Sequence, residues 1–183
     1  MKIFHTFLLV SLISISCVWS QPHEEPTTIT VALPKPAAHD TSISIALDLV
    51  KKFEGFRSQT YWDMNQMAIG YGFSHYDIPT MQWGDTMTRK EADRRLYQIL
   101  LRYRKIVKET VDAELNHNQL AALISLAYNI GPNAFKGSRV VKHLNAGNYG
   151  KAAKAISHWK YAKGVVLAGL RKRREAETKL FHS

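Results

Sequence analysis

Glu54 and Asp63 stand nine residues apart in the segment EGFRSQTYWD, between a stretch of helical period and an aromatic, glycine-rich one. Two carboxyl groups in unlike surroundings suit glycosidic cleavage. One, protonated, gives its proton to the departing oxygen; the other, ionised, activates water or steadies positive charge on the sugar. Glu54 fits the first role. Asp63, beside a turn and open to water, fits the second, because unlike environments set the roles of two acids apart. Spacing alone does not decide the matter, since a helix-end Glu and a turn Asp are also an ordinary structural pattern. Other chemistries find less support. None of the eight histidines pairs at ligand spacing with a nearby carboxylate or cysteine, so neither a metal nor another cofactor is expected. No serine-centred nucleophile elbow occurs.

The element that must carry Glu54 is SISIALDLVKKFE. Ile43, Leu47, Val50 and Glu54 recur at intervals of four, three and four, which is one stripe of a helix. Asp48, Lys51 and Lys52 take the other face, Thr41 or Ser42 can cap the start, and Gly55 stops the end. Glu54 therefore lies on the core-facing side of the last turn. Partial burial and the unpaired carbonyls there both disfavour an anion, which is the setting a general acid requires.

From Tyr61 to Phe73 the residues favour a small hairpin or three-stranded sheet, with MNQ as the turn and Gly70 and Gly72 allowing close backbone approach. Thr88 and Glu91 read as a capping box before a helix whose Leu96, Leu100, Tyr103, Val107 and Val111 share a stripe, running to about Glu114. Asn116 and Gln119 cap a nearly all-apolar helix that ends at Gly131-Pro132. Shorter helices are expected at about 138–145 and 149–158, and a last one at about 170–181 holds RKRREAE. This order is α+β and predominantly helical.

The chain has 183 residues and a formal charge of +10. Up to Phe135 there are 13 Lys and Arg against 13 Asp and Glu; from Lys136 onward there are 12 against 2. A one-sided basic region attracts polyanions. Residues 1–20 read as an export signal, with Lys2 before the apolar run Phe7 to Ile15. That run is too short to span a bilayer comfortably, so no membrane anchor is expected after processing. Export makes nucleic acid the least expected polyanion, and a secreted or periplasmic monomer is the expectation. The only cysteine, Cys17, lies inside the signal, where lipidation is the alternative to removal. Residues 21–41, with four prolines and no helical period, read as a flexible tether, leaving 42–183 as one domain.

The wording around the acid pair goes further than its spacing. EGFRSQTYWDMNQMAIGYGFS resembles the catalytic opening of the phage-type lysozymes, the endolysin-like muramidases of glycoside hydrolase family 24, with Glu-Gly, an aromatic-Asp pair and Ile-Gly-Tyr-Gly in order. LNHNQLAALISLAYNIGPNAF is similar to their buried central helix, and the stretch from LNAGNYGKAA to RKRREAE to their closing segment, so the likeness runs from about Leu47 to Phe181. The resemblance implies a two-lobed lysozyme-like fold with a small β-sheet, a helical lobe and a cleft between them. It implies hydrolysis of the β-1,4 bond between N-acetylmuramic acid and N-acetylglucosamine in peptidoglycan, an anionic cell-wall polymer. Glu54 then matches the general acid and Asp63 the second carboxylate. Asn129 and Ser138, flanking NIGPNAFKGS, match positions that line the sugar cleft, and Arg171 or Arg174 is the candidate basic partner of Glu54.

Two departures bear on the reaction. Where the family carries a Thr before Ile-Gly-Tyr-Gly, this chain has Ala68 after a shorter loop, and the usual His after that motif is replaced by Phe73-Ser74 before His75. The Thr helps place the attacking water, so Ala68 leaves two alternatives open beside hydrolysis: a lytic transglycosylase, in which the muramic acid 6-hydroxyl attacks, and a catalytically silent wall-binding module. Ser74 is a candidate to hold a water. Trp62, Trp83 and Trp159 are candidates to stack on sugar rings, with core packing as the alternative for each.

Overall fold

The computed structural model describes residues 40–63, 66–162 and 164–183. The signal and nearly all of the tether lie outside these residues, as do Met64 and Asn65 at the hairpin turn.

Helix α1 (Thr41–Glu54) is capped by Asp40, whose Oδ1 accepts from the Ser42 and Ile43 backbone N–H groups at 3.0 and 3.4 Å. The Ser42 hydroxyl donates to the same oxygen at 2.6 Å, so neither Thr41 nor Ser42 is the cap, and Thr41 belongs to the helix rather than the tether. Ile43, Ala46 and Val50 are fully buried. Gly55, at φ +68°, ends the helix by donating its N–H to the Lys51 carbonyl.

Strands β1 (Arg57–Asp63) and β2 (Gln66–Gly70) form an antiparallel hairpin that pairs Tyr61 with Ala68, Trp62 with Met67 and Asp63 with Gln66. Of the two alternatives the hairpin forms; beyond it, Gln59 makes an isolated bridge to Thr86. The chain then reverses tightly: Ile69 and Phe73 exchange backbone hydrogen bonds of 3.0 and 2.9 Å. Gly70 sits at φ +67°, and a Cβ there would lie 2.6 Å from the Phe73 ring, so only glycine fits this reversal.

Helix α2 (Arg89–Thr110) begins with Thr88 Oγ1 accepting from the Glu91 N–H, while the Glu91 carboxylate turns to Arg94 and Arg95. It stops well before Glu114. Asn145 takes over the helix end, its amide donating to the Thr110 carbonyl and its Oδ1 accepting from the Asp112 N–H, both at 3.0 Å. That contact is long-range, and the apolar stripe running through Val111 gave no hint of it.

Helix α3 (His117–Ile130) has the expected reciprocal cap of Asn116 and Gln119. Every residue from Leu120 to Ala127 is buried, and the helix packs against α1, α2 and the last helix, making it the axis of the core. At fully buried Leu123, truncation to Ala would cost about 2–5 kcal/mol. Gly131 and Pro132 end α3 and start a short α4 (Pro132–Lys136), which periodicity does not reveal. Then come α5 (Arg139–Asn145), α6 (Tyr149–Ile156), two-residue strands β3 (Tyr161–Ala162) and β4 (Val165–Val166), and α7 (Ala168–His182). The fold is α+β and predominantly helical, with the hairpin as its small sheet region.

Candidate active site

Between the hairpin and the helices lies a polar cleft of about 370 Å³. Glu54 enters from the end of α1, Asp63 and Gln66 from facing positions of the hairpin, and Tyr128 and Asn129 from the end of α3. Gly72 and Ser74 complete the wall on the hairpin side. Gly72 holds φ +82°, and a Cβ on it would come within 3.5 Å of Glu54 Oε2, so the residue keeps the space beside that carboxylate open. The Tyr128 hydroxyl donates to the Tyr71 carbonyl at 2.8 Å, tying α3 to the chain reversal. Burial, with the Glu54 and Asp77 carboxylates nearby, holds the Tyr128 phenol well above its ordinary value, so it stays neutral.

Glu54 keeps 22% of its side chain exposed, while Asp63 is an exposed residue at the end of β1. Arg173 of α7 places Nη1 2.5 Å from Glu54 Oε1. The same guanidinium donates through Nε to Glu177 Oε1 at 3.1 Å and through Nη2 to the Ser125 carbonyl at 3.2 Å. Glu177 is 0% exposed. Its Oε1 also accepts from the Ser125 hydroxyl at 2.7 Å and from Arg174 Nη2 at 3.0 Å, and its Oε2 lies 2.9 Å from Arg174 Nε. Arg174 donates in turn to Asn129 Oδ1 at 3.0 Å. Burial pushes the Glu177 carboxyl above its ordinary value against the pull of both arginines and Ser125. Burial also lowers Arg174 to about 10, still charged at neutral pH, with Glu177 opposing the shift.

The structure thus brings Glu54, Asp63, Ser74 and Asn129 to one cleft and leaves other candidates outside it. The partner of Glu54 is Arg173, not Arg171 or Arg174. Arg171 is 58% exposed on the outer face of α7, and Arg174 is turned toward Glu177 and Asn129. Ser138 is buried and accepts from the Val141 N–H as the cap of α5, so it is committed to that helix start. Ala68 shares the Asp63 and Gln66 face of the hairpin by strand alternation but is 1% exposed and does not line the cleft. Ser74 reaches the cleft with its hydroxyl already engaged, accepting from the Tyr76 N–H at 3.2 Å within a turn closed by Asp77.

Trp62 and Trp83 are 66% and 65% exposed and stack on each other, ring centroids 6.3 Å apart, away from the cleft lining. Trp159 instead packs against the core. Arg173, Glu177 and Ser125 were not singled out from the sequence. For the two residues of α7 the signal is the stripe Leu170, Arg173 or Arg174, Glu177, Phe181, the same helical period that marks Glu54 in α1; Ser125, inside the apolar run of α3, carries no such signal.

The Phage lysozyme family model matches residues 51–177. The chain belongs to the phage lysozyme family. It is 34% identical over 142 residues to the endolysin of Acyrthosiphon pisum secondary endosymbiont phage 1, covering 75% of this chain and 94% of that one. It is also 34% identical over 138 residues to the endolysin of Bacillus phage B103, matching 74% of this chain but spanning only 51% of that relative. Among solved structures, the muramidase domain of SpmX from Asticaccaulis excentricus superposes with a TM-score of 0.69 at 34% identity, over 75% of this chain and 95% of that one. The fold is that of a lysozyme, two-lobed about the cleft, and the glycosidase class expected from the motifs agrees with these relatives.

Proposed function

We propose that this protein is a muramidase that hydrolyses the β-1,4 bond between N-acetylmuramic acid and N-acetylglucosamine in bacterial peptidoglycan, with Glu54 as general acid and Asp63 as the second carboxylate. The observation that carries the reading is that both acids line one polar cleft, one from a helix end and one from the hairpin, in unlike settings. Glu54 is mostly enclosed and held by Arg173; Asp63 stands in solvent. A protonated Glu54 gives its proton to the leaving oxygen, and ionised Asp63 supports the oxocarbenium-like centre or activates water. Asn129, anchored by Arg174, offers its amide N–H groups to the sugar. The exposed cations Lys136, Arg139, Lys142, Lys151, Lys154 and Lys172 hold the helical side against the anionic wall. Residues 1–20 direct export, and the exported protein acts as a monomer.

Clearing of a peptidoglycan suspension tests the assignment. Glu54→Gln is expected to lower the rate by about 10²–10⁴, the usual worth of a general acid; equal clearing by the two proteins would overturn it. Ala68 motivates a second reading, since a methyl replaces a hydroxyl on the Asp63 face. Mass spectrometry of the same digests separates the two. Reducing muramic acid ends belong to hydrolysis, and 1,6-anhydromuramic acid ends to a lytic transglycosylase.

A further inference from the structure

We infer that Glu177, sealed from the cleft, is a positioning residue that sets how strongly Arg173 acts on Glu54 and at the same time holds Asn129 in place through Arg174. The inference rests on the proposed role of Glu54 as proton donor.

Arg173 and Arg174 bring two positive charges behind the cleft, and among the described residues of α7 one buried carboxylate faces both of them. Among the described residues, the other charged or titratable groups around Glu54 are Asp63 and Tyr61 from β1, Tyr76 and Asp77 from the loop between the hairpin and α2, Tyr103 from α2, Tyr128 from α3 and, without direct contact, Arg174 from α7. On α1 itself, Lys51 is paired with Asp93 at 2.8 Å and Lys52 is exposed. Arg173 is therefore the cation in direct contact with Glu54, and Glu177 is the anion in direct contact with Arg173.

A proton donor next to a cation faces a conflict, because the cation favours the ionised form. Glu177 eases it in two ways. Its charge offsets one of the two arginines in a site where water screens little. Its Oε1 gathers Ser125, Arg173 and Arg174, so the fork of Arg173 is fixed in direction and offers Glu54 a single N–H. The link through Arg174 to Asn129 places a substrate-facing amide on the same anchor. A purely structural carboxylate would leave the acid's behaviour unchanged when its charge is removed.

The measurement is kcat as a function of pH on peptidoglycan for wild type, Glu177→Gln and Glu177→Asp. On the alkaline limb the general acid loses its proton. Glu177→Gln leaves Arg173 uncompensated, so that limb moves to lower pH. Turnover falls by roughly ten- to a hundredfold, as expected of a reacting group displaced by an ångström or less, and KM changes less than kcat. Glu177→Asp, which keeps the charge, restores most of the limb's position. Should Glu177→Gln fail to fold, the charge-balanced pair Glu177→Gln with Arg174→Gln carries the test, and its limb moves the same way because Arg173 still lacks its counter-charge. A limb that superimposes on wild type in whichever variant folds overturns the inference. Full activity in Glu54→Gln would overturn the proposed function instead, so the two failures are distinct.

Discussion

Glu54 and Glu177 share Arg173, yet their surroundings divide their work. Glu54 ends a helix, carries one hydrogen bond from the arginine and keeps 22% of its side chain open to the cleft. Glu177 lies within α7, takes three donors on one oxygen and is 0% exposed. A carboxylate that must exchange a proton with substrate needs few partners and a path to the outside. One that must hold two guanidinium groups in register needs many partners and no path. The same chemical group becomes reagent or scaffold according to where its helix places it.

Two substitutions should break that comparison in opposite ways. Glu54→Gln removes the reagent and keeps the scaffold, because Arg173 stays paired with Glu177. It should abolish most activity while thermal unfolding shifts little. Arg173→Leu strikes both acids. It leaves Glu177 with one cation instead of two and Glu54 with none in contact, and loss of one partner from a buried pair costs about 3–5 kcal/mol. Denaturant unfolding should show that loss, and wall-clearing activity should fall in the protein that remains folded. If Arg173→Leu proves as stable as wild type, Glu177 is not the scaffold described.

This division explains what was legible in the sequence. The acid pair, the cap of α3 and the predominantly helical order followed from local signals: a stripe, a reciprocal cap, glycines at reversals. The anchor of the site did not, because it joins α1, α3 and α7 across 119 residues from Glu54 to Arg173. Choosing between neighbouring arginines needs the helical phase of α7. Arg171 and Arg174 look as suitable as Arg173 until Phe181 and Leu170 fix which side faces inward. Ser138 was misplaced for a related reason: a hydroxyl before a helix serves its own backbone first. The early end of α2 likewise depends on Asn145, a contact that no stripe on α2 encodes.

The smallest expected effect sharpens the comparison from the far end of α1. Asp40 caps that helix and pairs with Arg104 at 2.9 Å, touching neither acid of the pair. Burial raises its pKa, but the Ser42 hydroxyl, Arg104 and the two backbone N–H groups outweigh it and hold the carboxyl below its ordinary value. A depressed folded value means that Asp40 contributes stability above the unfolded value near 3.9, and that this contribution fades as pH falls through the lower folded value. Asp40→Ala should therefore cost about 1 kcal/mol at neutral pH, and the gap to wild type in unfolding free energy should narrow as pH falls through the lowered folded value. Turnover per folded molecule should stay unchanged. A fall in turnover at full folding would mean that Glu54 is held by the length of α1 as well as by Arg173, and the scaffold would then extend beyond Glu177.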